Sequence, residues 1–205
     1  MVSERSLTKM TADERRASLI AAGSDVFARR GFHGASTAEI ASLAGCSEPM
    51  LYKHFASKQE LFGAVLVAGG TAIKAQVQGA LEGADDPFTR MLAVVQTLIA
   101  DPAWLQLVRL RSLAVTMADD PAIRAALEAH VRGHRDTVAG AVGASQELGT
   151  VRGDVDADAV GWIAVALSLL ANYRNAIEGP AGLADMPRII DTLAHAIRTV
   201  PEGSR

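Results

Sequence analysis

Side chains that can hydrogen-bond to phosphate are concentrated in residues 36–62, which read STAEIASLAGCSEPMLYKHFASKQELF. Hydroxyl, imidazole and ammonium groups are donors of the kind that bind the backbone oxygens of DNA and fix a protein's register on the duplex. The donors that we expect in this role are Thr37, Tyr52, His54 and Lys58. Two of them also fit a purely structural role, Tyr52 as a packed side chain and His54 as a helix-capping side chain.

Capping residues predict the short elements that hold these donors. Ser36 followed by Glu39 predicts a capping box at the start of a first helix, and Gly45 then permits a tight turn. Ser47 predicts the cap of a second helix, whose first turn tolerates the missing amide proton of Pro49. The second helix is expected over about 48–54. A helix, a tight turn and a second, outward-facing helix form a helix-turn-helix.

The second helix has one apolar side and one side left for solvent or a partner. Leu51 and Phe55 share the side that packs on the first helix. In helix-turn-helix proteins, residues near the N-terminus of the second helix touch base edges in the major groove. Met50 can make apolar contact with a thymine methyl group, and Glu48 can accept a hydrogen bond from cytosine. The predicted base-contacting residues are Ser47, Glu48, Pro49, Met50 and Lys53.

Two longer runs carry a resemblance to a known family. The run LYKHFASKQELF, residues 51–62, and the upstream run FARRGFHGAST, residues 27–37, resemble the DNA-binding domain of tetracycline-repressor-type (TetR) regulators. The resemblance covers roughly 15–62 and implies phosphate contacts at Thr37, Tyr52, His54 and Lys58, with base contacts within 47–53. Ala38 stands where relatives can carry a base-contacting side chain, and it is too short for that contact.

The charge of the chain gives little support to a broad DNA-binding surface. The net charge is −3, made up of +1 over residues 1–62 and −4 over residues 63–205. DNA binding is therefore expected to depend on the placement of individual basic side chains. These are Arg5, Lys9, Arg15, Arg16, Lys53 and Lys58.

Composition and segment lengths predict a soluble, cytoplasmic protein. The N-terminal residues are polar and charged, without the apolar run that an export signal requires. The longest uncharged run, Ala159 to Tyr173, is shorter than the ~18–20 residues that cross a bilayer, so we expect no membrane partner. The single cysteine, Cys46, excludes an intrachain disulfide and is expected to fill space in the turn, although a redox role is an open alternative.

The remaining helices are predicted from caps and periodicity. Thr11 with Glu14 predicts a capping box for a helix that ends at Gly31. Three Asp-Pro pairs, at 86–87, 101–102 and 120–121, predict helices over about 87–100, 102–117 and 121–144. Two more are expected over 157–178 and 186–199. The predicted fold is all-α with about nine helices: a helix-turn-helix domain over 1–62, and an effector-binding and dimerisation domain over 63–205.

The last two predicted helices favour self-association. The helix over 157–178 is apolar nearly all round and must be covered on every side. The helix over 186–199 carries an apolar stripe of Met186, Ile189, Ile190, Leu193 and Ile197. TetR-type proteins dimerise through their last two helices, so the resemblance implies a homodimer through 157–178 and 186–199. A monomeric bundle that buries the same helices internally is the alternative.

Polar groups on apolar helix faces predict a small-molecule site. Arg111 falls among Trp104, Leu107 and Val108, and a buried guanidinium needs either an acidic ligand or a protein partner. His130 and His134 lie one turn apart and can line a pocket, satisfy the core or share a metal. A stripe that contains Gly161, Ser168, Asn172 and Asn175 fits either a pocket or a helix interface. The predicted ligand-binding residues are Trp104, Arg111, His130, His134 and Asn172.

The function predicted from these patterns is a ligand-responsive regulator, a repressor that binds a palindromic operator as a dimer and is released by a small-molecule effector. The alternative is an architectural or activating DNA-binding protein without an effector. An enzyme that uses His130 and His134 is not favoured, because the sequence has no nucleophile elbow, glycine-rich phosphate loop or three-ligand metal set. No cofactor and no metal is expected.

Overall fold

A computed structural model describes residues 10–99 and 101–199. Within these residues the protein contains nine α-helices, one short 3₁₀-helix (Gly179–Leu183) and no β-structure beyond an isolated bridge. The predicted all-α fold with about nine helices is confirmed. The helices are α1 (Ala12–Gly34), α2 (Thr37–Leu43), α3 (Glu48–His54), α4 (Lys58–Leu81), α5 (Pro87–Leu98), α6 (Pro102–Val115), α7 (Pro121–Glu147), α8 (Ala157–Glu178) and α9 (Met186–Ile197).

The chain forms two compact units, residues 1–65 and residues 66–205. Helix α4 begins in the first unit and continues into the second. The domain limits predicted from the sequence, 1–62 and 63–205, concern function as well as compactness, and they stay a prediction.

Helix α1 begins with the capping box that its sequence predicts. The backbone N–H of Glu14 donates to Thr11 Oγ1 at 3.2 Å, and the backbone N–H of Thr11 donates to Glu14 Oε2 at 2.7 Å. The predicted end at Gly31 is a kink instead, where φ is +68° and the helix resumes as far as Gly34. Glycine is favoured at this kink because other residues rarely adopt a positive φ.

An aromatic cluster holds the first unit together. The ring of Phe27 lies 5.9 Å from that of Phe32 and 5.0 Å from that of Phe62, and all three side chains are buried. The Phe62 ring meets the other two at steep angles, which is a favourable arrangement for aromatic pairs. Because Phe27 lies on α1 and Phe62 on α4, the cluster fixes these two helices around the shorter ones.

Aspartate caps define the starts of the helices in the second unit. Asp86, Asp101 and Asp120 each accept a backbone N–H at the start of α5, α6 and α7, and a proline follows each one, as the sequence predicts. Helices α5 and α6 end earlier than the predicted 100 and 117, whereas α7 extends beyond the predicted 144.

Two contacts tie α7 to its neighbours. The Asp86 carboxylate accepts a hydrogen bond from the fully buried hydroxyl of Ser145 at 2.5 Å, and that hydroxyl accepts from the Phe88 backbone N–H at 3.0 Å. On the other side, a Cβ on Gly161 would lie only 2.7 Å from the Arg135 carbonyl oxygen, so α8 approaches the backbone of α7 closely. These contacts connect α5, α7 and α8.

The apolar stripe of α9 faces the interior of its own unit. Met186 and Ile190 are buried, Ile189 and Ile197 pack against the same core, and only Leu193 is substantially exposed, at 40%. Most of this stripe therefore packs within its own unit, where α9 contacts α5, and the part of α9 in a homodimer stays a prediction.

Helix α4, among the described helices, is by itself long and apolar enough to cross a membrane. A third of the relevant window is buried within the protein, and core helices of globular proteins share this length and composition. This property is therefore weak evidence for a membrane span.

Asp86→Ala should destabilise the protein more than Asp120→Ala. Both substitutions remove an N-cap, which costs about 1 kcal/mol. Only Asp86→Ala also leaves the buried Ser145 hydroxyl without its acceptor, which adds about 1–3 kcal/mol. Urea denaturation should therefore show a larger loss in the free energy of unfolding for Asp86→Ala, and equal losses would contradict the structural link between α5 and α7.

Candidate nucleic-acid interface and ligand cavity

Helices α2 and α3 form the predicted helix-turn-helix. Gly45, with φ at +69°, turns the chain between them, and the backbone N–H of Cys46 donates to the Ala41 carbonyl at 2.9 Å. Leu51 of α3 and Ile40 of α2 are fully buried. The apolar face of α3 is thus fixed against α2, and its opposite face is left exposed.

Two side-chain caps predicted in this motif are absent. Ser36 and Ser47 occupy the expected N-cap positions, but neither side chain makes a capping hydrogen bond. The Glu39 carboxylate, which was expected to complete a capping box with Ser36, accepts a hydrogen bond from Arg30 at 3.2 Å instead. Arg30 of α1 therefore binds the carboxylate that would otherwise complete the capping box of α2.

Thr37 and Glu48 are joined to each other. The Thr37 hydroxyl is buried and donates to Glu48 Oε1 at 2.5 Å. The Tyr52 hydroxyl lies 3.4 Å from the Thr37 oxygen. Because the Thr37 proton points to Glu48, the tyrosine is the donor when this longer contact forms. Two predicted DNA contacts, Thr37 and Glu48, are therefore occupied within the protein.

The remaining predicted contacts on α3 form an exposed surface. Ser47, Pro49 and Lys53 are exposed, Met50 retains 36% of its accessible surface, and Tyr52 retains 48%. His54 is half-buried. This surface is only weakly polar near the helix N-terminus, so apolar contacts should contribute much of any base recognition.

Lys58 is held at the start of α4. Its ammonium group donates to the Ala35 carbonyl at 2.7 Å and lies 4.5 Å from the centre of the Phe32 ring. Burial lowers the pKa of this lysine. An ammonium has three N–H donors, so two remain for an anion. The Ser57 hydroxyl caps the helix by accepting from Glu60 N–H at 3.0 Å, while the Glu60 carboxylate accepts from Ala56 N–H at 2.6 Å.

Two arginines counted as DNA-binding cations brace the motif instead. Arg15 donates to the Ala44 carbonyl at 2.8 Å, near the end of α2. Arg16 donates to the His54 carbonyl at 3.0 Å, at the end of α3. Cations at helix C-termini donate to the carbonyl groups that have no partner within the helix, and they interact favourably with the negative end of the helix dipole. The other expected cations near the N-terminus, Arg5 and Lys9, lie outside the described residues.

The second unit contains two adjoining pockets, called the apolar lobe and the polar lobe. The apolar lobe, about 210 Å³, is lined by side chains from α4 to α9, including Phe88, Met91, Leu92, Leu98, Val138 and Leu167. The polar lobe, about 250 Å³, is lined from α4, α6 and α7 and contains Thr71, Lys74, Arg111, His130, His134 and Thr137. The lobes share part of their walls: Ile73, Val77, Trp104, His134 and Thr137.

Arg111 is a buried cation without a carboxylate partner. Its side chain lies in the polar lobe with only 2% of its surface exposed, and its terminal nitrogen donates to the Ser168 hydroxyl. Its Nε is buried without a hydrogen-bond partner, and no described carboxylate lies within ion-pair distance. Burial lowers the pKa of Arg111 to about 10, so the group is still charged at neutral pH.

The two histidines are neutral neighbours of this cation. Burial, together with the charge of Arg111, lowers the pKa of His130 and of His134 to about 4. The His130 Nδ1 is buried without a hydrogen-bond partner. It packs so closely on α4 that a Cβ on Gly70 would lie 2.2 Å from it. Glycine at position 70 therefore makes room for the imidazole.

Comparisons with known proteins agree with this architecture. Residues 19–65 match the model of the tetR family of bacterial regulatory proteins. Over 88 residues, 43% of the chain, the sequence is 43% identical to the HTH-type transcriptional activator FasR of Mycolicibacterium smegmatis. The N-terminal part of this chain is therefore similar to TetR-family regulators. The aligned segment spans only 40% of that relative and 46% of a second one, an uncharacterized HTH-type transcriptional regulator of Bacillus subtilis, YdgC, to which it is 29% identical over 42% of the chain.

Solved structures share the TetR fold over nearly the whole chain. A protein from Saccharomonospora viridis, described as a candidate transcriptional regulator in complex with choline, has a TM-score of 0.79 at 21% identity, over 92% of this chain and 100% of its own. A candidate TetR-family regulator from Rhodococcus sp. has a TM-score of 0.74 at 22% identity, over 91% and 100%. At sequence identities of 21–22%, the similarity to these structures shows that the fold is shared and shows nothing about function. These relatives are described as regulators and not as enzymes.

The predicted ligand residues do not all meet. Trp104, Arg111, His130 and His134 line the cavity, but Asn172 does not, because its amide donates to the Ser112 hydroxyl at 2.9 Å. The polar stripe of α8 packs inward: Gly161 on α7, and Ser168 and Asn172 on α6. Within the described residues, no three metal-ligating side chains come together.

The helix that begins at Ser57 was expected to reach the cavity, but sequence reasoning did not name the residues of α4 that line it. Lys74 and Thr71 of this helix line the polar lobe, and Thr137 of α7 lines both lobes. The pair Gly69-Gly70 was an available indication, because glycines inside a helix often mark close packing. A Cβ on Gly69 would lie 2.7 Å from Leu107 Cδ1, which confirms such packing on α6.

The buried histidines should make stability fall with acidity. Their folded pKa values, about 4, lie below the unfolded value of about 6.5, so the unfolded chain binds protons first as the pH falls. The free energy of unfolding should therefore decrease from pH 7 toward pH 4. The loss between pH 7 and 5 is at most about 2 kcal/mol per histidine.

Urea denaturation at pH 7 and at pH 5 measures this effect. His134→Gln should reduce the difference between the two pH values. His195→Gln, which changes an exposed histidine of α9, is the matched control and should leave the difference as it is. A wild-type free energy of unfolding that does not change over this range would contradict the burial of both imidazoles.

Proposed function

We propose that this protein is a dimeric transcriptional repressor, acting in the cytoplasm, that binds a palindromic operator and releases it when a small molecule occupies the cavity. The observation that carries the DNA-binding part is the geometry of α3. Its apolar face is buried against α2, while the residues near its N-terminus are exposed. This is the arrangement in which a recognition helix enters the major groove.

The DNA contacts divide into two kinds. Tyr52, His54 and Lys58 are proposed to bind phosphates, and Ser47, Pro49, Met50 and Lys53 to touch bases. Thr37 and Glu48 belong to the same surface, but they must exchange their mutual hydrogen bond before either contacts DNA.

An apolar stripe on α8 supports dimerisation. Trp162, Leu169, Tyr173 and Ile177 follow one another at helical spacing, and between 40% and 64% of each side chain is exposed. Exposed apolar surface of this extent marks association sites in soluble proteins. A two-fold dimer presents two α3 helices to half-sites about one DNA turn, ~34 Å, apart, which explains a palindromic operator.

Release by an effector is proposed to act through α4. Ile73, Lys74 and Val77 of this helix line the cavity, and Lys58 stands at its first turn. A displacement of α4 by a bound ligand would therefore reach a phosphate contact along one continuous helix. The ligand must bind the DNA-incompetent state more tightly, because equal affinity for both states shifts nothing.

A second candidate is an activator that functions without an effector. It is favoured by one observation: the relative with 43% identity over 88 residues is named a transcriptional activator. The choline of the Saccharomonospora viridis neighbour is not carried over to this chain, because choline is a cation and the buried Arg111 would repel it. Addition of cavity ligands that leave operator binding unchanged would favour this second candidate.

Selection of binding sites from randomised duplex DNA tests the proposal. A palindrome should be enriched by the full-length protein. Lys58→Met should then weaken binding to the palindrome and to unrelated DNA by a similar factor, and should lower the slope of log affinity against log salt by about 1, since one phosphate contact is lost. Met50→Ala should change the order of preferred sequences instead.

Arg90→Met is the control for these measurements. It removes the same charge from an exposed position of α5, in the second unit, and should leave the salt dependence unchanged. If Lys58→Met and Met50→Ala changed binding in the same way, the division into phosphate and base contacts would be wrong. If no palindrome were enriched, the dimeric repressor proposal would fail.

Tyr173→Asp should dissociate the dimer. A carboxylate in the centre of the α8 stripe would have to be buried without a partner in a subunit interface. Sedimentation should show a monomer for this variant and a dimer for the wild type, with loss of tight operator binding. Leu148→Asp, at an exposed apolar residue beyond the end of α7, is the control and should remain dimeric.

A further inference from the structure

We propose that the cavity takes an amphipathic carboxylate, whose carboxylate group pairs with Arg111 and whose hydrocarbon chain fills the apolar lobe. The inference rests on the proposed function in one respect, since it names the effector class for the same cavity. It is drawn from the charge, burial and hydrogen bonding of the two lobes.

The charge of Arg111 is not compensated inside the protein. Ser168 is its hydrogen-bond partner among the described residues, and the Ser168 hydroxyl already donates its own proton to the Val165 carbonyl at 2.7 Å. A hydroxyl lone pair accepts one N–H but carries no counter-charge. A buried cation left in this state is costly, so its presence in a cavity wall points to an anion supplied from outside.

The surroundings of Arg111 suit an anion and disfavour a cation. The polar lobe offers the Lys74 ammonium and two imidazoles, each of which can donate a hydrogen bond, whereas the Thr137 hydroxyl already donates to the Gly133 carbonyl at 2.8 Å. None of the described residues that line either lobe is acidic. A carboxylate accepts hydrogen bonds at both oxygens and fits the planar guanidinium.

The apolar lobe supplies a place for a hydrocarbon chain. Its wall contains aliphatic, aromatic and methionine side chains, among them Phe88, Met91, Leu167 and Met186. Ser168 lines this lobe and also binds Arg111, so the charged group and the apolar lobe meet at one residue. The apolar lobe therefore adjoins the site proposed for the carboxylate, and it is where the hydrocarbon chain of the ligand is proposed to lie.

Calorimetric titration of the full-length protein with three probes tests the proposal. The probes are dodecanoate, dodecanol and dodecyltrimethylammonium, used below their aggregation concentrations, and they share a chain but differ in the charge of the head. Dodecanoate should bind about tenfold to hundredfold more tightly than dodecanol, as expected for a hydrogen-bonded ion pair. Dodecyltrimethylammonium should bind more weakly than either.

The variant Arg111→Met tests whether Arg111 causes the tighter binding of dodecanoate. This variant should lose the preference for dodecanoate, with a tenfold to hundredfold fall in its affinity and an unchanged affinity for dodecanol. Its Tm should be equal to that of the wild type or higher, because an uncompensated buried charge has been removed. Arg109→Met, at an exposed position of the same helix, is the matched control and should keep the preference.

Several results would overturn the proposal. These are equal wild-type affinities for dodecanoate and dodecanol, tightest binding of the ammonium probe, and an unchanged preference for dodecanoate in Arg111→Met. If Arg111→Met failed to fold, Arg111 would have a structural role that the proposal denies, and the wild-type comparison of the three probes would still decide the ligand class.

Operator binding, measured with the same probes, separates this inference from the proposed function. Tight binding of dodecanoate through Arg111 without any change in operator affinity would support the ligand class and contradict effector release. Release of operator by the ammonium probe would support effector release and contradict the ligand class.

Discussion

A guanidinium that is buried without a counter-charge sets the chemistry of the second unit. Arg111 lies on α6 in the wall of the polar lobe, and its one described hydrogen-bond partner is a neutral hydroxyl. Burial, with a smaller contribution from the charge of Arg111, lowers the pKa values of His130 and His134 and keeps their imidazoles neutral. Buried charges in proteins are normally paired. The second unit is therefore electrostatically incomplete, and an anion that enters the cavity completes it.

The first unit differs from the second, because several of its polar groups already have hydrogen-bond partners inside the protein. Arg15 and Arg16 bind carbonyls at the ends of α2 and α3, Lys58 binds the Ala35 carbonyl, and Thr37 binds Glu48. These contacts connect the helices of the helix-turn-helix and occupy several of its polar side chains. The proposed DNA binding would then depend on the positions of a few groups and on the proposed dimer.

Helix α8 connects dimerisation to the cavity. Its inner face carries Ser168, which binds Arg111, and its outer face carries the exposed stripe that includes Trp162 and Tyr173. Ile163 belongs to both regions, since it is 46% exposed and also lines the apolar lobe. A ligand in the cavity thus touches the helix that is proposed to join the subunits, as well as α4.

Local interactions were determined by the sequence itself. The capping box of Thr11 and Glu14, the Asp-Pro starts of α5 to α7 and the turn at Gly45 depend on residues within three or four positions of one another, so they were predictable. Tertiary structure decided the rest. Glu39 does not cap α2 as predicted, because α1 places Arg30 within hydrogen-bond distance of it. The α9 stripe faces inward because it packs in the core of the second unit, where α9 contacts α5. Arg111 meets Ser168 only because α6 packs on α8. Such choices depend on which distant groups compete for the same partner, and that competition exists only once the helices have packed.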